Sequence, residues 1–290
     1  MIAGSLENII DKVILIRKPE KIDFLVAMFY RNLWFFIGIT LIGLTGFMGK
    51  LSFVFTFPFL ILAVIYPLTS FAYDYFLRNN ELSRFSGIFY TFPLFFLCFD
   101  NLFFHLTFSI FRAASVLLLV AGAILFSINP NERRSSFSRM GWFWMLIYAG
   151  GNIYLYIIFK VVSPAINGVS FYFSTWAMSM VLYALLLIAT KKYKKLKETA
   201  TTDNFFLKTL VSKSLDSFSG VFYLQAISLA SLTVVSAFDS LSPLVMLMML
   251  LLISLLLRIH TAEDFSKKTL ALKVGATLLL VLGSLGMALL

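Results

Sequence analysis

Nine long apolar segments follow one another along the chain, separated by short polar connections. They cover residues 23–46, 51–77, 84–104, 106–128, 140–161, 170–189, 205–228, 232–257 and 270–290. A helix needs roughly 20 apolar residues to cross the hydrocarbon core of a bilayer, and these segments have about that length. The pattern therefore predicts an all-α polytopic membrane protein. The apolar runs are continuous rather than alternating, which excludes a transmembrane β-barrel.

A shorter helix is predicted ahead of these segments, over residues 1–16. Glu7, Asp11 and Lys12 interrupt it, and each charge costs about 2.5–3.5 kcal/mol at the centre of a membrane helix. With about 1.5 Å of rise per residue, the segment reaches roughly 24 Å, which is short of a full crossing. Glu7 and Asp11 lie one turn apart, so we expect their shared face to point inward if the segment enters the bundle.

Composition and charge support a membrane location. Apolar residues make up 60% of the chain and charged residues only 13%, against about 25% charged residues in soluble domains. Of the 24 basic residues, 19 lie in the connections after the short helix and after the second, fourth, sixth and eighth segments. The positive-inside rule places these connections in the cytoplasm and the C-terminus outside the cell membrane. The basic run 191–197 is interpreted as such a connection; a patch for anionic lipid or nucleic acid is the alternative. We expect no nucleic-acid partner.

Two parts of the chain resemble each other. Phe92-Pro93-Leu94 opens one apolar run and Ser242-Pro243-Leu244 opens another, 150 residues later. Glycines 122 and 283 lie in the following runs, 161 residues apart. These similarities predict two five-helix repeats, residues 1–128 and 140–290, joined by a cytoplasmic linker at 129–139. An odd number of helices in each repeat gives the two copies opposite orientations, the inverted plan of many secondary transporters.

Two stretches resemble the EamA-like branch of the drug/metabolite transporter superfamily. Residues 23–31, DFLVAMFYR, are similar to the start of the second helix of that family, and residues 223–244 to its eighth and ninth helices. The Gly-Glu-Arg that often follows the fourth and ninth helices of the family is absent from the corresponding positions here. The resemblance implies ten helices, with the first one short in this chain, and a transport function.

Charged residues inside apolar segments are candidates for function, since lipid does not tolerate them. Arg31 either reaches the lipid headgroups or contacts an anionic substrate. Asp239 precedes Pro243 by four residues, and the proline leaves the carbonyl of Asp239 without its helical hydrogen bond. We predict a substrate-binding and ion-coupling role for Asp239, the alternative being a protonated or paired structural acid. Lys213 and Asp216 are three residues apart and are expected to pair with each other, the alternative being a substrate site.

Polar-ended side chains on other segments suit a cavity that holds an organic solute by stacking and a few hydrogen bonds. The candidates for substrate binding are Asn152, Tyr156, Trp176, Tyr183 and Gln225. The alternative for each is a place at the membrane interface or in a contact between helices.

We therefore expect a secondary transporter that moves a small organic solute by alternating access, and no cofactor. The alternatives are a membrane scaffold and a lipid-modifying membrane enzyme. A transporter is expected to have a polar pocket, an enzyme a cluster of titratable groups, and a scaffold neither. Cys98 is the only cysteine, so the chain has no intrachain disulfide and no cysteine metal cluster. The group His260, Glu263 and Asp264 lies in a basic connection and is interpreted as solvated charge. No catalytic residue and no metal ligand is predicted. The oligomeric state is left open.

Overall fold

The computed structural model describes residues 2–17, 23–79, 91–105, 109–128, 139–257 and 266–289. All its regular elements are helices. The α-helices are α1 (Ile2–Arg17), α2 (Phe24–Leu44), α3 (Phe57–Asn79), α4 (Phe92–Phe104), α5 (Ile110–Ser127), α6 (Arg139–Val162), α7 (Gly168–Ala189), α8 (Leu196–Thr201), α9 (Phe205–Leu229), α10 (Leu232–Asp239), α11 (Ser242–Leu257) and α12 (Lys267–Ala288). Residues 129–138 of the predicted linker, and the group at 260–264, lie outside the described residues.

The predicted helical membrane class is confirmed. In the described part of the chain, seven segments are helical, long and apolar enough to cross a membrane by length and composition. They come from α2, α3, α5, α6, α7, the pair α10–α11, and α12. The predicted short helix is present as α1 and is not among the seven. The number of crossings stays a prediction.

The segment 51–77 is helical only from Phe57 onward, which corrects its predicted start. Residues 51–56 have no regular structure and form hydrogen bonds with serine side chains of α7. The backbone N–H of Ser52 donates to the hydroxyl of Ser170 at 3.0 Å, and that of Val54 to Ser174 at 2.9 Å. Non-helical backbone needs such partners wherever water is excluded.

The segment 232–257 is broken into α10 and α11. Pro243 is the second residue of α11, and its ring nitrogen has no hydrogen to donate to the carbonyl of Asp239. The hydroxyl of Ser242 donates to the carboxylate of Asp239 at 3.0 Å. Asp239 therefore lies at a helix break rather than in the middle of a continuous helix.

The helices fall into two compact units, each with residues from both halves of the sequence. The major unit comprises Leu6–Arg78 and Gly141–Ser228. In it α2 and α7 pack antiparallel, because Gly43 at the end of α2 lies against Val169 at the start of α7. The opposite ends of the two helices meet where Val26 and Leu187 share one hydrophobic cluster.

The minor unit comprises Met1–Ser5, Asn79–Met140 and Leu229–Leu290. Its main contact joins α5 and α12, which pack closely through glycines. Gly122 lies against Leu280, and Gly283 lies against Leu119. A shift of 161 residues converts Gly122 into Gly283 and Leu119 into Leu280. The two contacts are therefore reciprocal, because the same glycine–leucine contact forms in both directions between α5 and α12. The later residue of α5 meets the earlier residue of α12, so the two helices are antiparallel.

A buried acid joins α4 to α10 within the minor unit. The side chain of Asp100 accepts hydrogen bonds from the backbone N–H of Thr233 at 2.8 Å and from the Thr233 hydroxyl at 2.7 Å. Thr233 is in the first turn of α10, where backbone N–H groups have no partner within the helix. Asp100 thus stabilises the start of the half-helix that ends at Asp239.

Candidate functional site

A network of charged side chains is buried in the major unit. It joins four helices through Glu7 and Asp11 of α1, Arg31 of α2, Asp74 of α3, and Lys213 and Asp216 of α9. Because the first helix contributes two carboxylates, the inward-facing arrangement predicted for Glu7 and Asp11 is confirmed. Neutralising partners are required here, since removing an unpaired charge from water is costly.

Arg31 bridges α1 and α3. One terminal nitrogen of its guanidinium pairs with Asp11, and the other pairs with Asp74. The side chain is only 10% exposed, and its guanidinium carbon lies 5.2 Å from the centre of the Tyr73 ring. Arg31 therefore points into the protein.

Lys213 forms ion pairs with three carboxylates. Its ammonium group pairs with Glu7, with Asp11 at 3.1 Å and with Asp216 at 3.0 Å. The predicted pairing of Lys213 with Asp216 is confirmed, and it belongs to a larger arrangement. The hydroxyl of Ser212 also donates to Asp11, at 2.6 Å. These contacts fix α1 against α9.

Among the residues whose side chains the structure describes, the four carboxylates of the network face two basic side chains. Asp74 is fully buried, and its second carboxylate oxygen accepts no hydrogen bond from the described residues. Among those residues, no group of three or more His, Cys, Asp or Glu is arranged to hold a metal ion.

Aromatic rings form a second cluster in the same unit. Trp176 has its ring centre 3.9 Å from that of Tyr66, 4.7 Å from that of Phe35 and 4.9 Å from that of Tyr172. The hydroxyl of Ser217, the residue that follows Asp216 on α9, donates to the backbone carbonyl of Phe35 at 3.0 Å. The charged network and the aromatic cluster are therefore neighbours.

The predicted solute-contacting residues occupy different surroundings. Trp176 is in the aromatic cluster, and Tyr183 is completely buried about two turns further along the same face of α7. The ring of Tyr156 lies 4.9 Å from that of Tyr223. Asn152 donates a hydrogen bond to the carbonyl of Tyr148 in its own helix, at 2.8 Å.

Two further predicted residues also lie outside the charged network and the aromatic cluster. Gln225 is half-buried on α9, and its backbone carbonyl accepts a hydrogen bond from the hydroxyl of Ser228 at 2.7 Å. Asp239 belongs to the minor unit and accepts its hydrogen bond from Ser242. The structure thus places Arg31 in the charged network and Trp176 in the aromatic cluster. The binding roles of all these residues stay predictions.

A separate ionic contact lies at the basic end of α7. The Asp23 side chain caps α2 by accepting from the backbone N–H of Leu25 at 3.1 Å. It also pairs with Lys192 at 3.2 Å and Lys195 at 3.4 Å. Partial burial by itself raises the pKa of Asp23. The two lysines lower it through their hydrogen bonds and positive charge, and the backbone N–H of Val26 lowers it further. Together these effects outweigh burial and hold the pKa of Asp23 below its usual range.

The sequence-based interpretation missed Asp74 and Asp100. Both are acids inside apolar segments, which is the signal that singled out Asp239. Ser170 and Ser174 were missed for another reason. Serine is common in membrane helices, and nothing local indicates that its hydroxyl supports an extended backbone segment.

Comparison with known proteins informs the fold. Neither the protein-family models nor the curated proteins contain a match to the chain. A solved structure described as "Crystal structure of protein" is similar, with a TM-score of 0.60 and 12% sequence identity. The similarity covers 99% of this chain and 97% of that chain. At this level of identity it shows a shared fold alone.

Proposed function

We propose that the chain is a secondary transporter that carries a small organic solute across the cell membrane. The observation that carries this proposal is the buried charged network beside an aromatic cluster, inside a bundle of membrane-crossing helices. Charged groups within membrane segments are expensive, and they mark substrate or ion pathways when they face the protein interior. Aromatic side chains with polar ends provide the stacking and hydrogen-bonding contacts that organic solutes need.

The reciprocal contacts of α5 and α12 support the inverted-repeat plan, residues 1–128 and 140–290. A two-fold axis perpendicular to two antiparallel helices superimposes each helix on the other. Such an axis exchanges the contact of Gly122 with Leu280 for the contact of Gly283 with Leu119. Repeats related by an axis in the membrane plane are the architecture on which many carriers alternate access. The resemblance to the EamA-like transporters points to the same class.

Transport itself is the decisive test. The purified protein is reconstituted into sealed vesicles, and a library of metabolites is screened for uptake that protein-free vesicles lack. We expect saturable uptake of at least one organic solute. A protein that binds no solute and moves none would instead support the scaffold alternative.

The orientation is part of the proposal. Single cysteines at Lys194 and Ala165, which are both exposed and lie beyond opposite ends of α7, are introduced on a Cys98→Ala background. With basic connections in the cytoplasm, a membrane-impermeant thiol reagent labels the Ala165→Cys protein from outside intact cells. The Lys194→Cys protein is labelled only after lysis. The reverse result would overturn the orientation.

We keep the coupling role of Asp239 as a second element of the proposal. If Asp239 exchanges a proton during transport, Asp239→Asn retains solute binding and loses concentrative, pH-dependent uptake. The neutral amide preserves an acceptor for the Ser242 hydroxyl, so the helix break is maintained. An Asn variant with the full pH response would show that Asp239 is a structural acid.

A lipid-modifying enzyme is the second candidate, because the major unit contains a cluster of titratable groups. In the described residues, however, each of the four carboxylates is engaged with Arg31 or Lys213. Incubation of the purified protein with phospholipids, followed by mass spectrometry, separates the candidates. A carrier returns the lipids unchanged, and an enzyme generates a product.

A further inference from the structure

A segment rich in lysine follows α7 directly. Residues 191–198 read KKYKKLKE, so five of these eight residues are lysines. Lys191 has the left-handed backbone conformation, with φ of 56°, and a 3-10 helix follows it at Lys192–Lys195. The helix α8 begins at the next residue, Leu196. The lysines therefore lie on a folded element of the major unit rather than on an irregular connection.

Two of the lysines hold this element against α2. Lys192 and Lys195 are three residues apart, and side chains at this spacing eclipse each other in a 3-10 helix. Both pair with Asp23 at the start of α2, at 3.2 Å and 3.4 Å. The hydroxyl of Tyr30 also donates to the backbone carbonyl of Leu196, at 3.1 Å. These contacts fix the position of the element relative to α2.

The other three lysines are available to a partner. Lys191, Lys194 and Lys197 also follow one another at intervals of three residues, one residue out of step with the pair that contacts Asp23. All three are exposed, and their ammonium groups form no ion pair with the described residues. We call these three lysines the basic turn. A folded element that presents several ammonium groups suits an anionic ligand.

The basic turn is placed at the level of the lipid headgroups. The helix α7 is long and apolar enough to cross a membrane, and its last residue is Ala189. Lys191 follows two residues later, which corresponds to about 3 Å of helical rise. Tyr193, which lies between the lysines in sequence, is 47% exposed. Tyrosine and lysine are typical of this level, because each has an apolar body and a polar end.

An exposed apolar stripe on α7 leads to the basic turn. Val181, Leu185 and Ile188 are spaced by four and three residues, so they share one face of the helix. Each of the three is between 57% and 62% exposed. The stripe ends three residues before Lys191. A ligand with an apolar chain and an anionic head matches the stripe and the basic turn together.

We propose that the basic turn binds the phosphate group of an anionic phospholipid, and that an acyl chain of the same lipid lies along the apolar stripe. Clusters of basic residues beside a membrane helix attract anionic lipids. A nucleic acid also offers phosphates, but it has no apolar part to cover the stripe. The inference goes beyond the proposed transport function, because the lipid occupies a site outside the charged network and the aromatic cluster.

Lipid binding is tested on the whole chain, solubilised in a neutral detergent. Thermal unfolding is followed with dioctanoyl-phosphatidylglycerol, which is anionic, and with dioctanoyl-phosphatidylcholine, which has the same chains and an added positive charge. A ligand that binds the folded state raises the unfolding midpoint by mass action. We expect a saturable rise with phosphatidylglycerol and a smaller rise or none with phosphatidylcholine. Raising the salt concentration is expected to reduce the rise, since salt screens exposed charges.

Variants assign the effect to the basic turn. Lys191→Gln/Lys194→Gln/Lys197→Gln is expected to weaken binding of phosphatidylglycerol by about tenfold or more. Because the replaced side chains are exposed, we expect this variant to unfold near the wild-type midpoint when no lipid is added. Lys191→Arg/Lys194→Arg/Lys197→Arg keeps the charge and is expected to keep binding.

A matched control removes three exposed lysines elsewhere in the chain. Lys50→Gln/Lys267→Gln/Lys268→Gln makes the same change of charge and is expected to bind phosphatidylglycerol as the wild type does.

Four results would overturn the inference. Phosphatidylcholine could stabilise the protein as strongly as phosphatidylglycerol, or the Gln variant of the basic turn could bind phosphatidylglycerol as the wild type does. The control could lose as much binding as that variant. An oligonucleotide could stabilise the protein more than phosphatidylglycerol, which would assign the basic turn to a nucleic acid. Because none of these measurements involves a transported solute, each result leaves the transport function standing.

Discussion

Removal of Arg31 tests the charged network directly. In Arg31→Met, Asp11 retains Lys213 and Ser212 as partners, but Asp74 loses its only basic partner in the described residues. Methionine preserves much of the length and apolar stem of the arginine side chain. The main change is therefore that a carboxylate with no exposed surface loses the basic partner that the described residues provide.

The expected cost follows from the loss of the ion pair. Breaking a buried ion pair by removing one partner costs about 3–5 kcal/mol. Each kcal/mol lowers the unfolding midpoint of a large domain by about 2–4 °C. We expect a decrease of about 6–20 °C.

The assay is thermal unfolding followed by intrinsic tryptophan fluorescence in one detergent. Lys194→Met, which removes an exposed lysine, is the control and is expected to change the midpoint little. The double variant Arg31→Met/Asp74→Asn removes the unpaired charge and is expected to recover most of the loss.

Two outcomes would refute this reasoning. The first is an Arg31→Met protein whose midpoint falls no further than that of the Lys194→Met control. The second is a double variant as unstable as the single one, since this would assign the loss to packing around Arg31 rather than to the charge of Asp74.

Three further predictions concern other parts of the chain. Gly122→Ala places a Cβ 2.9 Å from a carbonyl oxygen of the facing helix, and Gly283→Ala places one at 2.8 Å. Each variant is therefore expected to lower the free energy of unfolding by about 1–3 kcal/mol. The control is Gly275→Ala, where an added Cβ meets nothing within 4 Å. Unfolding midpoints measure this, and a loss at only one of the two sites would contradict the reciprocal packing. Since the folded-state pKa of Asp23 is lowered, its stabilising effect is present above its unfolded pKa of about 3.9 and is lost as the pH falls through the folded value. An acid titration of the midpoint is therefore expected to show a drop below about pH 4 in the wild type that is smaller in Asp23→Asn. Deletion of residues 1–11 removes two carboxylates of the network and is expected to lower the midpoint and abolish transport; unchanged values of both would indicate a dispensable tail.

Local sequence determined the membrane class and the positions of most helices. Hydropathy is a property of consecutive residues, and a segment such as 170–189 needs no distant partner to be apolar and helical. The structure accordingly has α7 at Gly168–Ala189 and α9 at Phe205–Leu229, within two residues of the predicted bounds. The charges at Glu7 and Asp11 were also sufficient to predict a short first helix with an inward face.

Tertiary structure decided which polar groups meet. Glu7 and Lys213 are 206 residues apart, and the sequence contains no local signal that they pair. The extended residues 51–56 look like part of a span because they are apolar. Their backbone is not helical and instead forms hydrogen bonds with the hydroxyls of Ser170 and Ser174. Pairing across long sequence separations depends on how the helices pack, and hydropathy does not encode that packing. The sequence by itself therefore specified the helices and their affinity for the membrane, whereas the packed bundle specified the charged network.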